Sequence, residues 1–448
     1  MLTRREFNRA GVTVALGATV ATLLDACGFA GGGSSSSGSS SSGAKYAVPK
    51  SANLQIAWWG GSNRAQRTQQ VMDLMKQQQP GWTMAGQFTS FTDYWVKMNT
   101  QAASSSLPDV MQMDMAYIGR YSSQKELLDL SKYRTDPLKL GDFDKGQLSQ
   151  GTVGGKLVGI SLGGNIDAIN FNKSAIQQAG MSPPAEDITW EKFASYCSNL
   201  AKKLPSGMYP LDDGSGSGAP FEVFLRQRRG EQWTKDGKLN YKSSDVQDWF
   251  QWWADLRKAK VVIPGDMAAA EATNGTPAGS TIATGKAVFL MTWSNFIGQY
   301  QILMKDEVAM MRDPQGGSGT QVGDYVKASQ LFSVPATSQQ ADAAIEFISF
   351  FIHNPAAVKA LGVERGVPGS AAARAVLKPT LTPYDAAQIA FLDQNSKLTR
   401  AKTVLDPPGA GDVGTALTNA AQSIALSGTS VADATSKFME DAHKALST

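Results

Sequence analysis

Residues 57–64 read AWWGGSNR: two tryptophans and two glycines in a row, followed by an amide and a guanidinium. Flat rings cover apolar faces, and glycines let backbone N–H groups approach a polar molecule closely. In an extended strand, neighbouring side chains point to opposite faces, so at most one of Trp58 and Trp59 belongs in a core. The other needs a further role. The groups of covalent or metal chemistry are scarce beside this. The chain has two histidines, His353 and His443, both in helical stretches, and two cysteines, Cys27 and Cys197. That set supports no disulfide framework, no metal-spaced cluster and no histidine triad. No carboxylate pair stands out as the acid and base of a glycosidase. GGSGTQVGDY (316–325) is glycine-rich but lacks the lysine followed by Ser or Thr of a phosphate loop. Trp249, Trp252 and Trp253 in DWFQWWADL fall at i, i+3 and i+4, one helical face that reads as core rather than as a ligand platform.

The elements that must position these residues alternate. NLQIAWW (53–59), WTMAGQFTS (82–90) and PDVMQMD (108–114) read as strands. Between them, Ser62 is expected to cap a helix running to about Gln79. Thr68, Val71, Met72 and Met75 share its buried face, and Pro80 stops it. DYWVKMNTQAASS reads as the next helix. This alternation predicts an α/β body with a largely parallel sheet. Ligands collect at the carboxyl ends of such strands, so Trp58–Asn63, Ser90–Tyr94 and Asp114–Tyr117 converge on one edge. The second half repeats the pattern. KLVGISLGG (156–164), AVFLMTWSN (287–295) and EVAMMRDPQGG (307–317) read as strands, and TWEKFASYCSNLAKKL as a helix capped by Thr189. QADAAIEFISFFIHNP is an apolar helix, and 371–448 is mostly alanine-rich helix. A length of 448 residues calls for two lobes. A net charge of +3 gives no argument for nucleic acid. Cys197 reads as a small buried hydrophobe.

The first residues read as an address. TRREFNRAG carries twin arginines, Arg4 and Arg5, then Phe7, and residues 10–24 are apolar without a charge. That combination is a signal peptide, and the twin arginines suggest the export route for folded proteins. It ends LLDACG, which resembles a lipoprotein signal with Cys27 as the lipidated residue, although Asp25 departs from the usual small or apolar residue. Residues 31–43 contain only Gly and Ser, a flexible coil whose thirteen residues span about 20 Å on average. The expected arrangement is a signal peptide over 1–27, a linker over 28–50, and a body tethered at the outer face of the cytoplasmic membrane.

Taken in order, AWWGG, PDVMQMD, ELLDLSKY, GGKLVGIS, INFNKSAIQQAG, ITWEKF, TGKAVFLMTWSN, AIEFISFFI and GVERGVPGS make the chain resemble a known family. It is similar to the sugar-type extracellular solute-binding proteins of bacterial ABC importers, the maltose-binding-protein-like family. The resemblance covers about residues 53–375, and Ser161 stands where many members have proline. It implies a two-lobe periplasmic-binding-protein fold, type II-like, with hinged lobes closing on a cleft. The N-terminal lobe would be 51–162 with 314–353, and the C-terminal lobe 165–312 with 356–448. The crossings would lie at Leu162–Asn165, Arg312–Gly316 and His353–Ala356. The implied partners are a carbohydrate and the membrane permease, with no cofactor, for a monomer.

A sugar offers apolar ring faces and a belt of hydroxyls, so its site needs aromatic plates and planar polar groups. One of Trp58 and Trp59 then lies in the cleft, position favouring Trp59, with Gly60 and Gly61 admitting a hydroxyl. Asn63 and Arg64 at the helix start are further candidates, as is Tyr94. The resemblance places a cleft carboxylate at Asp114, with Tyr117 beyond it, and Gly164 and Asn165 at the hinge mouth. It places an aromatic at Trp293, with Asn295 near it, and a loop holding Arg365 by the cleft. Phe221 and Glu222 follow the loop DDGSGSGAP and complete the set. The rival readings are a receptor for another polar solute (a polyol phosphate or a peptide), an exported glycan-active enzyme, and a structural lipoprotein.

Overall fold

The computed structural model describes residues 48–316, 322–398, 402 and 404–447. The twin-arginine start, Cys27 and the Gly/Ser run lie outside the described residues.

The first body grows from β1 (Ala52–Trp59), α1 (Ser62–Gln78), β2 (Trp82–Thr89), α2 (Phe91–Ala103), β3 (Val110–Met113) and α3 (Met115–Ser123). β1 pairs in parallel with β2 on one side and β3 on the other. The periodic face of α1 closes on the sheet through Thr68, Val71, Met72 and Met75, all buried. The helix starts differently from the sequence expectation. Gly61, not Ser62, is the N-cap, and no side chain closes the end. Gly60 turns the chain at φ +144°, and a Cβ there would strike the Arg64 side chain, so the turn is completed one residue early. Strand Leu331–Ser333 joins β3 antiparallel, and Ile160–Ser161 completes the five-stranded sheet. The apolar helix Ala341–His353 packs against this sheet through Phe347, Ile348 and Phe351.

The second body holds a four-stranded sheet in the order 308–311, 167–172, 287–293, 209–211. It is mixed rather than largely parallel. Strand Asp167–Asn172 leaves the hinge, while Ala287–Trp293 and Val308–Met311 run back toward it, so both pair with it antiparallel. Every residue of Asp167–Asn172 is buried, as the central strand of a covered sheet must be. Helix Ser243–Lys258 presents Trp249, Phe250 and Trp253 fully inward, with Trp252 edge-on to Trp190. These rings join Phe193, Cys197, Phe221 and Phe289 in one core.

The chain passes between the bodies through a short ribbon, Gly164–Asn165 paired with Lys327–Ala328, with Val367 bridged to Gly164. This moves two of the expected crossings. Residues 313–325 still pack on the second body: Pro314 and Gly323 accept hydrogen bonds from Gln227 and Arg226, and Gln315 bridges to Thr189. The return therefore falls at 327–330, not at Arg312–Gly316. Helix Pro355–Leu361 packs on α1, where Arg67 donates to the Ala360 and Leu361 carbonyls. Helix Ala371–Leu377 packs on Pro355–Leu361 in turn. The last passage thus follows residue 377, not His353–Ala356, and helix Pro383–Asn395 then meets the second body through Phe391 against Ile166 and Ala168.

Candidate functional site

The carboxyl ends of the first sheet carry a wall of rings. Trp59 sits edge-on to Phe91 and Tyr94, and Trp95 stacks on Tyr117 with centroids 3.7 Å apart. Each such pair adds about 0.5–1.5 kcal/mol beyond its burial. Trp59, Tyr94 and Trp95 are buried, whereas Tyr117 is half-buried and Phe91 is 45% exposed. The outermost surface of the wall is therefore Phe91 and Tyr117. Burial pushes the Tyr117 hydroxyl up to about 12, with Asp114 and Asp412 adding to it, so it is a neutral donor at neutral pH. Asp114 caps α3 by accepting from the Ala116 N–H at 2.9 Å, and its second oxygen faces Lys327.

The second body contributes Trp293, half-buried at the hinge end of its strand and opposite Asp167 in register. Lys327 of the ribbon lies between the two walls. Its ammonium is 4.8 Å from the Trp293 ring centroid and 3.5 Å from the Asp114 carboxylate. Beside it, Lys402 is fully buried among Glu222, Asp406 and Tyr325. Burial works against the Lys402 charge, but Asp406 and Glu222 outweigh it and hold the ammonium well above its usual value. Asp167, Asp313 and Asp324 form a second buried group. Asp313 follows the strand that flanks Asp167, and among the described residues neither oxygen of Asp313, nor Oδ2 of Asp167, receives a hydrogen bond. Burial, then mutual repulsion, raises Asp167 and Asp313 well above the carboxylate range, and burial raises Asp324 to about 6. Among the described residues no group of three His, Cys, Asp or Glu is arranged to hold a metal ion.

Of the residues singled out in the sequence, Asp114, Tyr117 and Trp293 are brought together around Lys327, with Trp59 and Tyr94 immediately behind. Others are engaged elsewhere. Trp58 lies in the core against Phe88, over Gly86, where a Cβ would meet its ring at 2.6 Å. Phe221 is core in the second body, against Trp249. Glu222 is occupied by Lys402 and the Tyr325 hydroxyl. Gly61 caps α1, Gly164 is spent in the ribbon, and Asn63 is exposed and accepts from Arg67. Tyr94 donates to the Gln112 carbonyl at 2.7 Å. Four residues bond one another instead of facing open space: Arg64 to Glu364, the Glu364 carbonyl to Asn295, and Asn295 to Asn165. Arg365 is buried beside them, donating to Thr68 at 2.8 Å, and burial pushes its guanidinium down to about 9. It lines a cavity of about 20 Å³, room for one water and not for a sugar. The sequence reading missed Phe91, Lys327, Lys402 and Asp406. Phe91 follows a strand end and was open to the same argument as Tyr94. Lys327 and Lys402 reach the site from far along the chain, with no local signal.

Two α/β bodies joined by a short ribbon, with rings and a carboxylate facing across it, define a hinged binding protein. A family model described as bacterial extracellular solute-binding protein matches residues 70–387, and the chain belongs to that family. It is accordingly an exported protein, and among the described residues no helix is long and apolar enough to cross a membrane. Solved structures agree in fold. An extracellular solute-binding protein family 1 member from Alicyclobacillus acidocaldarius is 25% identical, with a TM-score of 0.65, over 88% of this chain and 98% of that one. An oligogalacturonide-binding protein from Yersinia enterocolitica, in complex with saturated digalacturonic acid, is 21% identical, with a TM-score of 0.78 over 88% and 99%. An ABC substrate-binding protein from Listeria monocytogenes, in complex with cycloalternan, is 15% identical, with a TM-score of 0.75 over 89% and 99%.

Proposed function

We propose that the chain captures a carbohydrate, a mono- or oligosaccharide, between its two bodies and delivers it to the membrane subunits of an ABC importer. The observation that carries this reading is the grouping of partly exposed rings, Phe91 with Tyr117 on one body and Trp293 on the other, with the Asp114 carboxylate and Lys327 among them. Rings meet the apolar faces of a sugar, and a carboxylate accepts from two adjacent hydroxyls. The Yersinia and Listeria structures, whose ligands are saccharides, support it. A ligand touching both bodies stabilises the closed form by contacts that the open form lacks, and no bond in it need be made or broken. Trp59, Tyr94 and Trp95 hold the first plate in place rather than touch the ligand.

A thermal-shift screen over mono- and oligosaccharides tests the reading. A sugar at a hundred times its Kd adds about 2.7 kcal/mol of stability, and the recovered sugar should be intact. Stabilisation only by peptides or polyol phosphates would move the proposal to that cargo, and cleavage of the sugar would replace it with an enzyme. The N-terminal address belongs to the same proposal: export as a folded protein and anchoring through lipidated Cys27. Cys27→Ser is expected to release the protein into the medium, measured by fractionation. Retention of the variant on the membrane would refute that anchor.

A further inference from the structure

The Trp293 face on which a ligand would stack is already covered by the chain itself. Lys327 projects from the ribbon strand Lys327–Ala328, so its backbone is fixed against Asn165 at the passage between the bodies. Its ammonium lies over the ring, at 4.8 Å from the centroid, a cation–π distance. It also faces Asp114 of the other body at 3.5 Å, and its charge helps to lower the Asp406 carboxyl. The lysine and the aspartate side chains are only 16% and 12% exposed. Two further close approaches lie on the same seam. A Cβ on Gly119 of α3 would come within 2.9 Å of the Asp406 carbonyl, and one on Gly411 within 3.0 Å of the Tyr117 ring. The first body and the 406–411 segment are therefore in contact here.

We propose that Lys327 is a built-in competitor and latch: its ammonium, set between the Trp293 ring of one body and the Asp114 carboxylate of the other, occupies the ligand position, and a ligand must displace it to bind. The geometry explains why a cation serves. An ammonium satisfies an aromatic face and a carboxylate at once, as a bridging ligand does with its ring face and its hydroxyls. The pairing at 3.5 Å is long for a strong charge-assisted hydrogen bond, so the contact is weak enough to be exchanged. Losing one cation–π contact and one partly exposed ion pair corresponds to about tenfold in an equilibrium constant. The latch stands whatever the cargo, whereas the competitor role rests on the capture reading above.

Small-angle scattering on the ligand-free protein tests the latch. Lys327→Met keeps the apolar stem and removes the charge, and Asp114→Asn removes its partner. Both variants are expected to have a larger radius of gyration than wild type, and wild type in 1 M salt is expected to shift toward them. Two variants that scatter like wild type overturn the latch. Calorimetry with digalacturonic acid and with maltotriose tests the competitor. Lys327→Met is expected to bind whichever of them wild type binds, about tenfold more tightly, and equal or weaker binding overturns that role. If wild type binds neither, these cargoes fail, while scattering still decides the latch.

Discussion

The two walls that face each other across the ribbon are built on opposite principles. The wall of the first body is a packed stack: Trp59, Tyr94, Trp95 and Tyr117 support one another, and Tyr94 and Tyr121 place their hydroxyls on Gln112 and Asn99. The wall of the second body buries ionisable groups. Asp167, Asp313 and Asp324 are buried together, Asp167 accepting on one oxygen only, next to the Lys402 network in which every charge has a partner. A packed aromatic wall is rigid because each ring loses contacts if its neighbour moves. Buried carboxylates without donors favour the protonated form and destabilise the charged one. The first wall is suited to present a fixed plate, and the second to respond to its surroundings.

The largest effect is expected from breaking the packed wall. Trp95→Ala removes the ring that holds Tyr117, Tyr94 and Trp59 together, and should cost about 3–5 kcal/mol in urea unfolding. A cost below about 1 kcal/mol would show that the rings are independent. Asp324→Asn should act in the opposite direction. Asp324 is raised to about 6 in the fold, chiefly by burial, above its ordinary value near 4. The folded form then binds the proton more tightly than the unfolded one. Its contribution is present below about pH 4 and is lost as pH rises through about 6. The amide cannot charge, so at pH 7–8 the variant should be more stable by on the order of 2 kcal/mol, with a flatter dependence between pH 4 and 7. A destabilised variant at pH 8 would mean that the backbone hydrogen bond and the nearby Arg312 and Arg226 outweigh burial. The smallest effect sharpens the comparison at the ligand: Trp293→Ala should weaken binding of a stabilising saccharide by about 1–3 kcal/mol, with little change in stability because the ring is half-exposed. Unchanged affinity in calorimetry would remove Trp293 from the contact surface.

Local patterns carried much of the fold. The strands at 53–59, 82–90 and 108–114 and the buried face of α1 follow from alternation and helical spacing. The Trp249–Trp253 face went to the core, as three rings on one side of a helix require. The grouping of candidate site residues was legible only where one strand end supplied a residue directly, as with Asp114 and Trp293, which meet around Lys327. Arg64, Asn165, Asn295 and Arg365 have the right chemistry for a ligand, yet each is buried and bonded to Glu364, Thr68 or one another. A polar residue's type cannot reveal whether another part of the chain has reached it first. The expected passages at 312–316 and 353–356 failed for a related reason. Nothing local marks whether residues 313–325 or 355–377 pack forward or back.

Sequence by itself determined the periodic elements, the twofold α/β organisation and the shortage of groups for covalent chemistry, because these depend on side-chain spacing and residue type. Tertiary structure decided that both adjacent tryptophans are core, one on each face of the sheet, because Gly86 on a neighbouring strand makes room for Trp58 while Phe91, Tyr94 and Trp95 enclose Trp59. It also decided that Lys327 covers Trp293, since that contact joins residues 34 positions apart through the ribbon. Spacing acts over a few residues, whereas burial and charge pairing act through space, and only the folded chain fixes those distances.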